Sequence, residues 1–202
     1  MQIQSSDVFL GRQPILNRQR HVVAYELLFR SSADQAEARI IDDALATACV
    51  VNGAFRKIGI RTVVGESQAF VNLDAEWLLS GEVEKLPKDK VVLEILETVD
   101  IDEQIVQRCR ALKTIGYRLA LDDFVRYSET YEPLLEIVDV VKIDVLRLDP
   151  NSLSKLVDRL RLWPARLLAE KVNTVERARQ CLALGFDLYQ GFFYGRPVVL
   201  TA

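Results

Sequence analysis

The sequence predicts an α/β fold, a TIM-like (β/α) barrel; an open doubly wound sheet is the other arrangement its element order allows. Three observations carry the prediction. The chain opens with two apolar segments whose connection is too short for a crossover helix, so they should pair antiparallel. From there strand-like and helix-like segments alternate to the end. Short apolar runs also end repeatedly in a polar or charged residue, and the carboxyl ends of strands are where such sheets bind ligands. Against the open sheet stands the lack of a glycine-rich phosphate loop after an early strand. A barrel would also bring the strand-end groups together, whereas an open sheet would spread them along an edge.

The elements follow in order. Val8–Leu16 and His21–Phe29 form the leading hairpin around the polar Asn17–Arg20. The second segment carries Glu26 inside an apolar run, an expensive place for a carboxylate unless it is paired or binds a metal. After the polar loop Ser32–Glu37, Ala38–Ile58 has helical spacing, with Ile41, Ala44, Leu45, Ala48, Val51 and Phe55 on one side and Gly59 as a stop. Gln68–Leu73 reads as a strand with Asn72 near its end, and Asp74 as the cap of a short helix Ala75–Ser80. Lys90–Leu96 is a strand containing Glu94, with Glu97 just beyond. Ile101–Ile115 is an amphipathic helix closed by Gly116. Two strands then carry the densest chemistry. Tyr117–Asp123 stops on adjacent carboxylates Asp122 and Asp123, and Val138–Ile143, after a short helix Leu134–Ile137, holds Lys142 with Asp144 following. Asn151–Trp163 is helical and stopped by Pro164, and Arg166–Val172 is a strand with Glu170 near its end. Thr174 should cap the helix Val175–Leu184, which Gly185 stops. The strand Phe186–Gln190 then leads into Gln190-Gly191.

Composition bounds the function. The 202 residues fit one domain with an ordinary globular balance, half hydrophobic and 27% charged. A net charge of −3 offers no broad basic field, so bulk nucleic-acid binding is not expected. A small anionic ligand needs only a local basic group or a metal. Cys49, Cys109 and Cys181 are widely spaced within helical patterns, without zinc spacing, and read as buried thiols of a reducing compartment. Met1–Asp7 lacks the apolar core of a signal peptide, and no apolar run approaches a membrane span. The expected location is cytoplasmic.

The strand-end groups, taken together, are Glu26, Asn72, Glu94, Asp122, Asp123, Lys142, Glu170 and Gln190. Hard oxygen ligands without Cys or His suit Mg²⁺ or Mn²⁺ better than zinc. The single histidine, His21, lies in a strand-like segment and reads as structural. Carboxylates around one or two hard cations, with a lysine, are equipped for phosphodiester hydrolysis. The metal activates water and neutralises phosphate charge, and a free carboxylate or the lysine assists proton transfer.

These residues carry a resemblance to the EAL domains of bacterial cyclic di-GMP signalling, over essentially the whole chain. Arg12-Gln13-Pro14-Ile15 is similar to the family's Q-P-I opening, and Glu26-Leu27-Leu28, with Arg30 after it, resembles the E-A-L signature and its arginine. Asn72 in F-V-N-L, Glu94 and Glu97 in L-E-I-L-E, Asp122-Asp123-Phe124, Lys142-Ile143-Asp144, Glu170 in A-E-K-V and Gln190-Gly191 follow in the family's order. The resemblance implies a barrel whose first strand runs antiparallel to the others, and two-metal hydrolysis of cyclic di-GMP to linear pGpG. By position, Glu26, Asn72, Glu94 and Asp122 would hold one metal and Asp123 would contact a second. Lys142 would orient water or phosphate, and Glu170 would be the general-base candidate. Gln190 would support the metal site, Gln13 and Arg30 would contact the dinucleotide, and Glu97 and Asp144 would support the site.

The departures are specific. The family's glycine-rich loop after Asp-Asp-Phe is here Val125-Arg126-Tyr127-Ser128-Glu129, and its E-G-V-E is Glu170-Lys171-Val172-Asn173. Leu27 replaces the small residue of E-A-L. Lys171 could pair with Glu170 or crowd it, and without glycines to make a tight turn Asp123 is expected to be poorly held. These features are similar to EAL domains followed by an HDOD domain, a subgroup in which many members signal through contacts. The resemblance therefore implies weak hydrolysis, or a catalytically inactive module that binds cyclic di-GMP or docks a protein. It also allows a homodimer, and a longer parent chain with a C-terminal HDOD domain.

Overall fold

The computed structural model describes residues 9–30 and 43–201. Met1–Asp7, Val8, the Ser32–Glu37 loop and the first residues of the helix expected from Ala38 lie outside them. The chain runs β1 (Phe9–Asn17), β2 (Val22–Arg30), α1 (Asp43–Val51), α2 (Ile60–Val64), β3 (Gln68–Leu73), α3 (Ala75–Leu79), β4 (Val91–Ile95), α4 (Glu103–Thr114) and β5 (Arg118–Phe124). It continues through α5 (Glu132–Leu135), β6 (Val140–Asp144), α6 (Pro150–Leu160), β7 (Arg166–Glu170), α7 (Val175–Ala183), β8 (Leu188–Tyr189) and β9 (Val198–Thr201).

The sheet closes. Its order is β2-β3-β4-β5-β6-β7-β8-β1, and β1 also pairs with β2, so eight strands form a ring with β9 added along β1. Neighbours from β2 to β8 are parallel, while β1 is antiparallel to β2, β8 and β9. This is the expected barrel with a reversed first strand. The reason is local: Asn17 Oδ1 accepts from the backbone N–H of Gln19 and His21, at 3.0 and 2.9 Å, folding β1 straight back into β2.

Two apolar layers hold the ring. Ile15, Ala24, Phe70, Val92, Ala120, Val140, Leu168 and Leu188, one from each barrel strand, form a separate buried cluster that fills the interior. The alternate residues, among them Leu27, Val71, Leu93, Leu121, Val141 and Ala169, belong to the larger core shared with the helices. Each helix offers one apolar stripe: α4 buries Ile105, Val106, Cys109 and Leu112. Asp74, Asp102, Asp149 and Thr174 cap α3, α4, α6 and α7, each side chain accepting from a backbone N–H of the first turn.

Several details differ from the sequence reading. The helix expected over Ala38–Ile58 is α1 followed by a π-helical turn, Asn52–Lys57. Gly59, at φ 89°, joins that turn to the unforeseen α2 instead of ending the helical run. The edge strand β9 was also unforeseen. His21 lies exposed ahead of β2, not within it. Cys109 and Cys181 are buried thiols, while Cys49 is only partly covered. No helix of the described residues is long and apolar enough to cross a membrane.

Candidate active site at the barrel mouth

The site follows from strand periodicity. Two residues beyond each member of the interior plug on β2–β8, the same inward face is reached again. Ala24 leads to Glu26, Phe70 to Asn72, Val92 to Glu94, Ala120 to Asp122, Val140 to Lys142, Leu168 to Glu170 and Leu188 to Gln190. On the reversed β1 the step runs backwards, from Ile15 to Gln13, which is the register partner of Glu26. One polar layer therefore lies on one apolar layer, and six of its members, Gln13, Glu26, Glu94, Lys142, Glu170 and Gln190, are buried.

Lys142 is the hub. Its ammonium lies 2.8 Å from Asp122 Oδ1, 3.3 Å from Glu170 Oε2 and 3.4 Å from Glu26 Oε1, and also donates to Glu94 Oε1. Burial alone would lower its pKa, but Asp122, Glu26, Glu94 and Glu170 raise it well above the ordinary value, so it stays charged. Burial raises the carboxyls of Glu94 and Glu170 well above the usual range, and Asp122 adds to both. Glu26 accepts from Gln190 Nε2 at 2.5 Å, and Gln190 Nε2 also donates to Gln13 Oε1 at 3.1 Å. Gln13 Nε2 in turn donates to the Gly195 carbonyl at 3.0 Å. Gln190, itself bonded to Gln13, thus braces Glu26 at Oε2 while Lys142 faces Oε1.

Asp122 and Asp123 are consecutive, so plain alternation would send them to opposite faces. The pairing of β5 with β6 slips between Leu121↔Val141 and Phe124↔Ile143, placing one extra residue in β5. This bulge brings both carboxylates to the mouth, with Asp123 at φ 45°, a conformation Asp tolerates better than most residues. The expectation that Asp123 is poorly held is not met. Lys171 Nζ lies 2.5 Å from Asp123 Oδ1 and 2.8 Å from Asp144 Oδ2. Although burial opposes it, hydrogen bonds from Glu170 and Lys171 bring the Asp123 carboxyl down to about 2. Lys171 thus pairs across the rim and not with its neighbour Glu170. The segment after Asp123 is anchored by aromatic packing: Tyr127 donates to Glu132, and the Arg159 guanidinium stacks 4.4 Å above the Tyr127 ring.

The other candidate residues take distinct places. Asp144, buried, accepts from the Leu146 N–H at 2.9 Å and faces Lys171. Glu97 is exposed on the loop after β4; partial desolvation and the charges of Asp122 and Asp123 raise its carboxyl. Arg30, at the end of β2, donates from Nη1 to its neighbour's carbonyl at 2.7 Å.

The donor set suits a hard cation. Glu26, Glu94 and Asp122 offer oxygens all within 4.8 Å of one another, and so do Asp122, Asp123 and Glu170. Asn72 Oδ1, Glu94 Oε2 and Glu170 Oε1 are buried with no hydrogen-bond partner among the described residues. Buried oxygens are rarely left unsatisfied, and three at one mouth is what a coordinated ion would resolve.

Comparison with known proteins agrees with this geometry. The family model described as "EAL domain" matches residues 1–197. The chain is 35% identical over 195 residues to the cyclic di-GMP phosphodiesterase CdgJ of Vibrio cholerae, covering 95% of this chain and 45% of that protein. It is 35% identical over 198 residues to the uncharacterized protein YuxH of Bacillus subtilis, covering 96% and 48%. The chain therefore spans about half the length of these relatives. Among solved structures, the EAL domain of Mycobacterium smegmatis DcpA superposes with a TM-score of 0.76 at 25% identity, covering 96% of this chain and 93% of that one. Bacillus subtilis YkuI, solved with cyclic di-GMP and calcium, shares the fold at a TM-score of 0.71 and 20% identity, over 95% and 55%.

Proposed function

This chain belongs to the EAL domain family, and from that premise we propose that it is a metal-dependent phosphodiesterase that hydrolyses cyclic di-GMP to linear pGpG. The observation that carries the reading is the pair of acidic groups sharing Asp122 at one barrel mouth, with orphaned oxygens pointing into it. EAL domains are metal-dependent, and the all-oxygen donor set makes Mg²⁺ or Mn²⁺ the cation we infer. Glu26, Asn72, Glu94 and Asp122 would hold it, with Asp123 on the side of a second. A cation held there lowers the pKa of bound water and neutralises phosphate charge.

The chain's own groups supply the rest. Lys142, charged and buried, orients water or a phosphate oxygen. Glu170 is the general base in this reading. Its raised carboxyl must give up a proton before it can accept one from water, so its protonation gates turnover. Gln190 and Gln13 brace Glu26, and Gln13 together with Arg30 faces the dinucleotide. Arg30 Nε is buried with no partner among the described residues, a donor that could meet phosphate. Glu97 and Asp144 support the site from the rim.

The test is purified protein with cyclic di-GMP and graded Mg²⁺ or Mn²⁺, with pGpG followed by chromatography. We expect binding with slow hydrolysis that improves at high metal. Glu170→Ala should lower kcat at least about a hundredfold while leaving nucleotide affinity nearly intact. Loss of binding and turnover together in that variant would remove Glu170 from the role of base. One observation favours a second reading, a module that binds the nucleotide without cleaving it: Asp123 is already engaged by Lys171. Binding with no pGpG at any metal concentration would select it.

A further inference from the structure

The rim beside the polar layer holds a lysine that hydrolysis does not call for. Lys171 follows the general-base candidate, lies on the rim where β7 ends, and has φ 56°. A non-glycine side chain in the left-handed region is strained, so its presence there points to a use for the side chain. Its backbone is pinned on both sides: the Val145 N–H donates to the Glu170 carbonyl at 3.4 Å and the Val172 N–H to the Gln190 carbonyl at 3.0 Å.

We propose that the Lys171 ammonium takes the place of a second divalent cation, so that the site loads one divalent cation beside Glu26, Glu94 and Asp122 and disfavours another beside Asp123. This rests on the metal-dependent reading above and deepens it. The two acidic groups share Asp122 but differ in what already neutralises them. On the first side, Glu26, Glu94 and Asp122 outnumber the Lys142 ammonium three to one, and Glu94 Oε2 has no partner among the described residues. A divalent ion gains there without evicting the lysine's every contact. On the second side, Asp123 Oδ1 is filled by Lys171 at 2.5 Å. Lys171 is also held by Asp144, whose side chain is 3% exposed and, among the described residues, has only the Leu146 N–H as its other partner. Pulling Lys171 away would strand a buried carboxylate. If Lys171 stays, its charge repels an incoming dication at close range.

The experiment is Mn²⁺ loading of the purified chain, measured by equilibrium dialysis and by the electron paramagnetic resonance of the bound ion, in wild type and three variants. Lys171→Gly removes the ammonium and relaxes the backbone, Lys171→Met removes the charge and keeps bulk, and Lys171→Arg keeps a cation. We expect wild type and Lys171→Arg to bind one Mn²⁺ with an isolated-ion spectrum. Lys171→Gly and Lys171→Met should bind two, with a spin-coupled pair spectrum and at least about tenfold tighter affinity for the second ion than in wild type. Wild type that loads two ions with a coupled spectrum overturns the proposal and leaves the metal-dependent reading standing. So does a single ion in both the Gly and Met variants. No Mn²⁺ bound by any of the four proteins overturns both.

Discussion

Lys142 is 1% exposed among four carboxylates, and those carboxylates are bearable only because of it. Removing one partner of a buried ion cluster typically costs about 3–5 kcal/mol. Lys142→Met should therefore destabilise the fold by about that much near pH 8. The sign of the pH dependence follows from the raised carboxyls of Glu94 and Glu170. Between the unfolded value of 4.5 and their raised folded values, the folded state binds more protons than the unfolded one, so stability falls as pH rises through that window. Lys142→Met pushes both carboxyls higher still. Its deficit should shrink as pH is lowered toward the unfolded value of 4.5 and both groups take up protons, read from urea unfolding at each pH. A deficit independent of pH would show that the carboxyls do not respond to the lysine. Lys142 stood out in the sequence because it sits at the end of a β-branched strand, where such sheets gather their ligand-binding groups. The partners of Lys171 did not, because they depend on a left-handed backbone and on two strands far apart in sequence.

At the scale of elements, two local irregularities make the site. One is the bulge that turns Asp122 and Asp123 to the same side. The other is the turn after β8, where Gly191 at φ 143° lets the chain lie on Val172; a Cβ there would stand 2.3 Å from the Val172 backbone N and O. That contact anchors Gln190, whose carbonyl accepts from the Val172 N–H, and so the brace on Glu26. Gly191→Ala should cost about 2 kcal/mol or more from strain and overpacking together, measured by urea unfolding. An unchanged midpoint would mean the turn can open without penalty. Strand identities were readable from short apolar runs with polar ends, since burial on both faces leaves little else to read. The bulge was not, because an extra residue shows only against the neighbouring strand. Strand β9 escaped because Phe186–Gln190 reads as the last strand, although Val198–Leu200 is a β-branched apolar run. Helix α2 escaped because Gly59 read as a terminus.

At the scale of the whole molecule, the interior plug is the floor on which the site stands. Leu168 is fully buried in it, two residues below Glu170. Leu168→Ala should cost about 2–5 kcal/mol, since the closed ring cannot collapse into the cavity. Leu162→Ala, at a position 68% exposed, should stay within about 0.5 kcal/mol in the same urea titration. Equal effects would mean that the plug does not support the barrel. What the amino-acid sequence determined by itself was the barrel, the reversed first strand and the members of the polar layer. Each depends on short-range pattern: a connection too short for a crossover, alternating element types, and a polar residue repeated at the same depth in successive strands. What only the tertiary structure decided was which of those groups touch. The hub at Lys142, the glutamine brace on Glu26, the joint turn of Asp122 and Asp123, and the clamp of Lys171 on Asp123 and Asp144 are contacts between strands 20 to 177 residues apart or a slip between two of them. Such contacts exist only once the ring has closed, because closure sets the distances across it.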